Sequence, residues 1–234
     1  MKKILEIGCG HGYNTYLLSK NSKNKVVGID FSKENIAISK QRYPRVDFQV
    51  MNAERMRFKD NYFDEIYALD ILEHVDHLGK VIDEAKRVLK QNGVFKINVP
   101  YYKSEAWLLK VRPTFPKEIH HVRVFKENQL DRIMKKKKFK LAKKQRKGFL
   151  QHVLLYYLFK RRIVSDKQTS IGSWRDNYKT KFVFAFMLCF DPYILKTPLK
   201  YFPIWIVTVP IGEFISFFGN RIFPKSIYYE FVKN

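Results

Sequence analysis

The stretch KKILEI at Lys2–Ile7, broken at once by Gly8, Gly10 and Gly12, constrains this chain more than any other. It is a short apolar run carrying one acid, Glu6, and the helical-looking run YNTYLLSK follows the glycines. Glycines let the backbone turn tightly and let a ligand lie against bare N–H groups where a helix begins. A strand, a glycine turn and a helix in that order are a nucleotide-site arrangement. The dinucleotide spacing wants a glycine at the sixth position, where this chain has Tyr13, so the spacing is poor for NAD.

Downstream, KVVGID ends on Asp30, 18 residues past Gly12. An acid at that place holds a ribose hydroxyl pair, because a carboxylate accepts from both hydroxyls. The competing role is a helix cap, which Ser32 with Asn35 fills at least as well. Phe31 is placed to lie against an adenine face. SKENIAISKQRY has helical spacing and stops at Pro44; VDFQV reads as a third strand, followed by Met51, Asn52, Ala53 and Glu54. FDEIYAL reads as a fourth strand, after which the phrase DILEHV leaves the sheet.

Glu6 with three alternating glycines, Asp30 and DILEHV together resemble the class I S-adenosylmethionine-dependent methyltransferases. The resemblance implies an α/β fold: a doubly wound, Rossmann-like, seven-stranded sheet, mostly parallel with the last strand antiparallel. It implies S-adenosyl-L-methionine held by Glu6, Gly8, Cys9, Gly10, Gly12, Asp30, Phe31, Asn52, Ala53, Leu69 and Asp70. The family often has an acid where Asn52 stands; an amide still hydrogen-bonds an adenine edge but carries no charge. Asp70, Glu73 and His74 resemble the divalent-cation set of some quinone-ring O-methyltransferases. Helix-start polarity explains the same residues, and no metal is expected.

HLGKVIDEAKRVLKQ reads as an amphipathic helix stopped by Asn92-Gly93, with a fifth strand after it. The phrase Asn98-Val99-Pro100-Tyr101 looks like the signature of base amino-group methyltransferases, but that signature follows the fourth strand and this phrase follows the fifth. Lys103 to Arg123 reads as a linker over an acceptor pocket. Within it, His120 and His121 are candidates to take a proton from an acceptor hydroxyl, with a surface histidine pair as the alternative. VFKENQLDRIMKKKK reads as a helix and FKLAKKQRKG as a sixth strand. The closing strand is expected in the last stretch, SIYYEFVKN. The expected organisation is therefore a cofactor-binding core at 1–147, an insertion of 78 residues at 148–225, and a final core strand at 226–234.

The net charge of +23 is unevenly spread. Residues 1–100 hold 17 Lys/Arg against 13 acids, a net of +4; the remainder hold 28 against 9, a net of +19. Such a balance implies anionic partners. The insertion carries uncharged runs such as FVFAFMLCF, flanked by basic residues and rich in aromatics, but none reaches the 18 or so residues of a spanning helix. That pattern suits helices in a membrane interface; a spanning helix or re-entrant hairpin within 182–223, a helical cap and a dimer face are the alternatives. Cys9 and Cys189 are too few for a disulfide framework or a zinc site, which suits a reducing compartment. Met1 almost opens the first strand, whereas the family has helices ahead of it, so a truncated start or another cover for that flank is expected.

The reading is thus a methyltransferase acting on a small-molecule or lipid-linked acceptor, cytoplasmic and peripheral on an anionic membrane surface. Two alternatives remain: an RNA methyltransferase, and a non-catalytic methyltransferase-like partner subunit. Long uncharged runs argue against nucleic acid. The acceptor and the oligomeric state are not legible in the residues.

Overall fold

The computed structural model describes residues 1–111, 113, 121–148, 219–221 and 224–234. Strand β1 (Lys2–Ile7) leads through the glycine turn into α1 (Tyr13–Ser19), then β2 (Asn24–Asp30), α2 (Lys33–Arg42) and β3 (Asp47–Val50). There follow β4 (Phe63–Leu69), α3 (Leu78–Val88), β5 (Leu89–Pro100), α4 (Tyr102–Val111), α5 (Gln129–Lys136), β6 (Phe139–Lys147) and β7 (Ser226–Lys233). One seven-stranded sheet runs in the order β3-β2-β1-β4-β5-β7-β6. Strands β1 to β5 are parallel, and the last strands are antiparallel.

The parallel strands read as near-continuous apolar runs because helices bury both of their faces. Ile4, Leu5 and Ile7 of β1, Val26, Val27 and Ile29 of β2, and Ile66 and Ala68 of β4 are all buried. Adjacent strands reverse their outward order between β1 and β4, and a ligand crevice opens at such a switch point, outside the carboxyl ends of the strands. At the far end of the same strands, Glu65 lies between Lys2 Nζ at 2.6 Å and Lys96 Nζ at 2.7 Å. Burial would raise its carboxyl, but the lysine bonds more than offset this and hold it at about 2.

The chain divides into two compact units. The first comprises Met1–Pro100, Val122–Gln145 and Tyr228–Asn234; the second comprises Tyr101–His121 and Arg146–Ile227. Tyr101–His121 thus groups with the C-terminal segment. Most of the expected insertion, from 149 to 218, lies outside the described residues. No helix among the described residues is long and apolar enough to cross a membrane.

Three local expectations differ from what forms. The stretch expected as a linker contains α4, where Ser104 and Glu105 donate backbone N–H groups to the Tyr101 carbonyl; the prolines that suggested a linker come only after the helix. Helix α3 ends at Val88 rather than at Asn92-Gly93, which instead lies within β5, where the register with β4 shifts and Asn92 takes a positive φ of 60°. Helix α5 begins at Gln129 instead of at Val124, because Asn128 is left-handed (φ 60°) and the Gln129 side chain accepts from the Lys126 N–H.

Candidate functional site

The glycine turn after β1 is locked to β2 by backbone bonds. Gly8 and Cys9 both donate to the Ile29 carbonyl, at 2.8 and 3.0 Å. Gly12 sits at φ 80°, and a Cβ there would lie 2.5 Å from the Phe48 ring, so both conformation and space demand glycine. Gly10 has φ 51° and nothing within 4 Å of the place a Cβ would take. Its bare edge faces open space, as a loop that cradles a ligand must.

Asp30 closes β2 beside this turn and is buried to 6% exposure. Its Oδ2 accepts the Gly10 N–H at 2.9 Å, and its Oδ1 accepts from Ser32 N at 2.9 Å and Asn35 Nδ2 at 3.2 Å. Ser32 is the cap of α2, accepting from the Asn35 N–H at 3.2 Å, so Asp30 is spared the capping role. A carboxylate offers about four acceptor sites, and three are used. One lone pair on Oδ2 is left for an incoming hydroxyl.

A cleft of about 220 Å³ opens at the carboxyl ends of β1 to β4. Of the residues the resemblance assigns to the cofactor, Gly8, Asp30, Phe31, Asn52 and Ala53 line it. Phe31 is 77% exposed, a large apolar ring left in solvent at the edge of the cleft. Asn52 uses its Oδ1 to accept the Glu54 N–H at 2.8 Å, which turns the loop after β3 along the cleft wall.

The other assigned residues support the cleft from outside its lining. Glu6 is buried and accepts from Asn14 Nδ2 at 2.8 Å and from the Thr15 hydroxyl, tying α1 to β1. Burial pushes its carboxyl up to about 7, against the pull of those two bonds, with the Asp30 charge adding to the rise. Cys9 packs with Ile36 and Phe48; burial first, and then the Glu6 charge, pushes its thiol up, so it is inert packing and no nucleophile. Leu69 pairs with Asn98 across β4 and β5. Asp70, left-handed at φ 53°, donates its N–H to the Asn98 carbonyl at 3.0 Å and accepts from Asn98 Nδ2 at 2.6 Å.

Of the residues considered for a metal, Asp70 is thus tied to Asn98, while His74 lines the cleft and Glu73 is buried to 1% exposure. His120 lies outside the described residues. His121 belongs to the second unit, where its Nδ1 lies 2.6 Å from Glu105 of α4.

Two contributors were missed from sequence. Arg123 donates to the Leu72 carbonyl at 2.7 Å and the Asp76 carbonyl at 2.9 Å, bracing the turn that carries Ile71, His74, Val75 and Asp76 into the cleft. Glu54 accepts from the His77 backbone N–H at 3.1 Å, and its other oxygen lies 3.0 Å from His77 Nδ1, closing the far wall. Neither carries a local signal: both act on residues more than twenty positions away.

Residues 5–97 match the family model described as "Methyltransferase domain". This segment is a class I methyltransferase domain. Its cofactor is S-adenosylmethionine, and the open Gly10 edge, the spare Asp30 lone pair and the exposed Phe31 ring fit that molecule's methionine, ribose and adenine parts in kind. The chain is 35% identical over 99 residues to the ubiquinone biosynthesis O-methyltransferase of Pelagibacter ubique, covering 41% of this chain and 40% of that one. It is 32% identical over 109 residues to the demethylmenaquinone methyltransferase of Chlorobaculum tepidum, covering 47% and 45%. This chain therefore spans less than half the length of these two curated relatives. Among solved structures, geranyl diphosphate C-methyltransferase from Streptomyces coelicolor A3(2) superposes with a TM-score of 0.63 at 12% identity, covering 100% of this chain and 78% of that one. At that identity the methyltransferase domain shares a fold with it and nothing more is carried across.

Proposed function

We propose that the protein transfers a methyl group from S-adenosylmethionine to a small or lipid-linked acceptor, such as a quinone, a lipid or a glycan precursor, at a membrane surface. The observation that carries the reading is the bond from Gly10 N–H to Oδ2 of Asp30, the acid that lines the cleft. It holds the glycine turn and the ribose acid in one preorganised unit. Asp30 takes a ribose hydroxyl on its remaining lone pair, Phe31 lies on the adenine face, and Asn52 with Ala53 borders the base edge. When bound, the cofactor supplies an electrophilic methyl on a sulfonium. The chain's contribution is position: the acceptor atom must lie in line with that methyl in a site that excludes water, and such alignment accounts for most of the acceleration. A base is needed only where the acceptor must lose a proton.

Quinone and lipid acceptors are favoured by the relatives' names, which include phthiotriol/phenolphthiotriol dimycocerosates methyltransferase of Mycobacterium tuberculosis, 31% identical over 97 residues. The membrane is favoured by the basic, aromatic C-terminal half. The test is transfer of a labelled methyl from S-adenosylmethionine to a detergent-dispersed membrane lipid extract. Label in an extractable lipid or quinone is expected. Label confined to added RNA would overturn the acceptor, and S-adenosylhomocysteine binding without any transfer would leave a non-catalytic subunit.

A further inference from the structure

Between Arg132 and Lys143 the chain carries seven cations and no acid. Only Lys137 of these is spent within the fold, on Asp83 of α3 at 2.6 Å. Arg132, Lys135 and Lys136 on α5, Lys138 in the turn, and Lys140 and Lys143 on β6 are exposed and make no ion pair among the described residues. The neighbouring acids are already committed: Asp131 holds Lys144 at 2.6 Å, and Asp83 holds Lys137. Six unneutralised cations are therefore gathered on one helix–turn–strand unit at the outer edge of the sheet, where β6 is the last strand. Lysines on an edge strand guard against edge-to-edge pairing, which accounts for Lys140 and Lys143. It does not account for Arg132, Lys135, Lys136 and Lys138, which lie off the strand.

We infer that this α5–β6 edge is the surface by which the methyltransferase domain docks on an anionic lipid bilayer. The inference rests on the membrane-surface reading above and assigns the docking to the domain itself, in addition to any part played by 149–218. Charge complementarity selects an anionic partner. Two observations select lipid over single-stranded nucleic acid. Base binding needs aromatic platforms, and the one ring in the stretch, Phe139, is 4% exposed and packs beside Phe95. In contrast, Leu141 of β6 is 43% exposed on the strand face it shares with Lys143, an apolar side chain free to enter the headgroup layer.

The test measures partitioning of the full chain onto phosphatidylcholine vesicles with and without phosphatidylglycerol. It compares the wild type with a variant carrying Lys135→Gln, Lys136→Gln, Lys138→Gln and Lys140→Gln. A control neutralises four exposed lysines elsewhere in the same unit: Lys23, Lys25, Lys33 and Lys40. S-adenosylhomocysteine affinity reports that each variant is folded. Roughly a fivefold loss per α5–β6 lysine is expected on anionic vesicles, so on the order of several hundredfold in all, with the control changed little and neutral vesicles bound weakly by every form. Equal losses in variant and control would overturn the assigned surface while leaving the membrane reading in place. A variant that partitions like the wild type would do the same. A wild type indifferent to anionic vesicles would overturn both, whereas methyl transfer to a detergent-dispersed acceptor stands or falls separately. Tighter binding of a short single-stranded RNA than of vesicles, lost in the same variant, would assign the surface to nucleic acid and overturn the proposal.

Discussion

Gly10 donates its backbone N–H to Asp30 Oδ2 at 2.9 Å, bonding the turn after β1 to the acid that ends β2 without any ligand between them. Two segments twenty residues apart are thereby tied together, and Gly8 of the first and Asp30 of the second line the cleft. Asp30→Ala removes the acceptor for three donors and the ribose partner at once. S-adenosylhomocysteine affinity is expected to fall at least tenfold by calorimetry, with thermal stability lowered by about 1–3 kcal/mol because buried donors lose their partner. Asp30→Asn, which keeps one acceptor oxygen, is expected to recover much of the stability and little of the affinity. Recovery of both together would mean that the carboxylate does not meet the ribose.

Glu6 titrates near neutrality for a physical reason that can be checked. Its folded carboxyl stands at about 7 against an ordinary 4.5, so the folded state holds the proton more tightly. Its contribution to stability is therefore fully present below about 4.5 and is lost as pH rises through 7, by on the order of 3 kcal/mol. Denaturant titrations of the wild type and Glu6→Gln between these limits are expected to diverge, with the variant gaining on the wild type as pH rises. Parallel curves would show that folding leaves the Glu6 carboxyl unshifted.

Gly12→Ala places a methyl where Phe48 already is and forces φ 80° on an L side chain. The expected cost is about 2–5 kcal/mol, from strain of about 1–2 with overpacking of about 1–3. Gly10→Ala meets no atom within 4 Å, so it is expected to cost only the backbone strain in stability while weakening cofactor binding. Thermal melts and calorimetry on the pair separate the two roles; identical behaviour would refute the distinction.

Arg123 braces the turn after β4 through two carbonyls, and only a planar fork reaches both. Arg123→Lys is expected to rescue little of the loss in Arg123→Ala, which should weaken S-adenosylhomocysteine several-fold and raise hydrogen exchange in the turn at 72–76. Full rescue by lysine would mean that charge, not geometry, holds the turn.

Much of this fold is legible in local pattern. KKILEI, KVVGID and FDEIYAL announce their strands because a buried parallel strand is an apolar run, and the glycines after β1 announce a turn that no other residue makes without strain. The candidate site was only half legible. Asp30 ends β2 and Phe31 follows it, where the topology places ligand contacts, and both line the cleft. Glu6 pins α1 from beneath, because its position on β1 points it at Thr15 and Asn14. The linker expected at 103–123 instead contains α4, because Pro113 and Pro116 lie beyond its last residue, Val111.

By itself the sequence determined what local chemistry decides: the strand–glycine–helix unit, the acid at the end of β2, and the unneutralised run of cations from Arg132 to Lys143. Only the tertiary structure decided which of these meet. The Gly10–Asp30 bond, the Arg123 brace on the turn at 72–76 and the Glu54–His77 closure each join segments at least twenty residues apart. No periodicity records such pairings, because they are set by how the sheet twists and where the loops end. The reversal of strand order between β1 and β4 then turns those loop ends into one cleft.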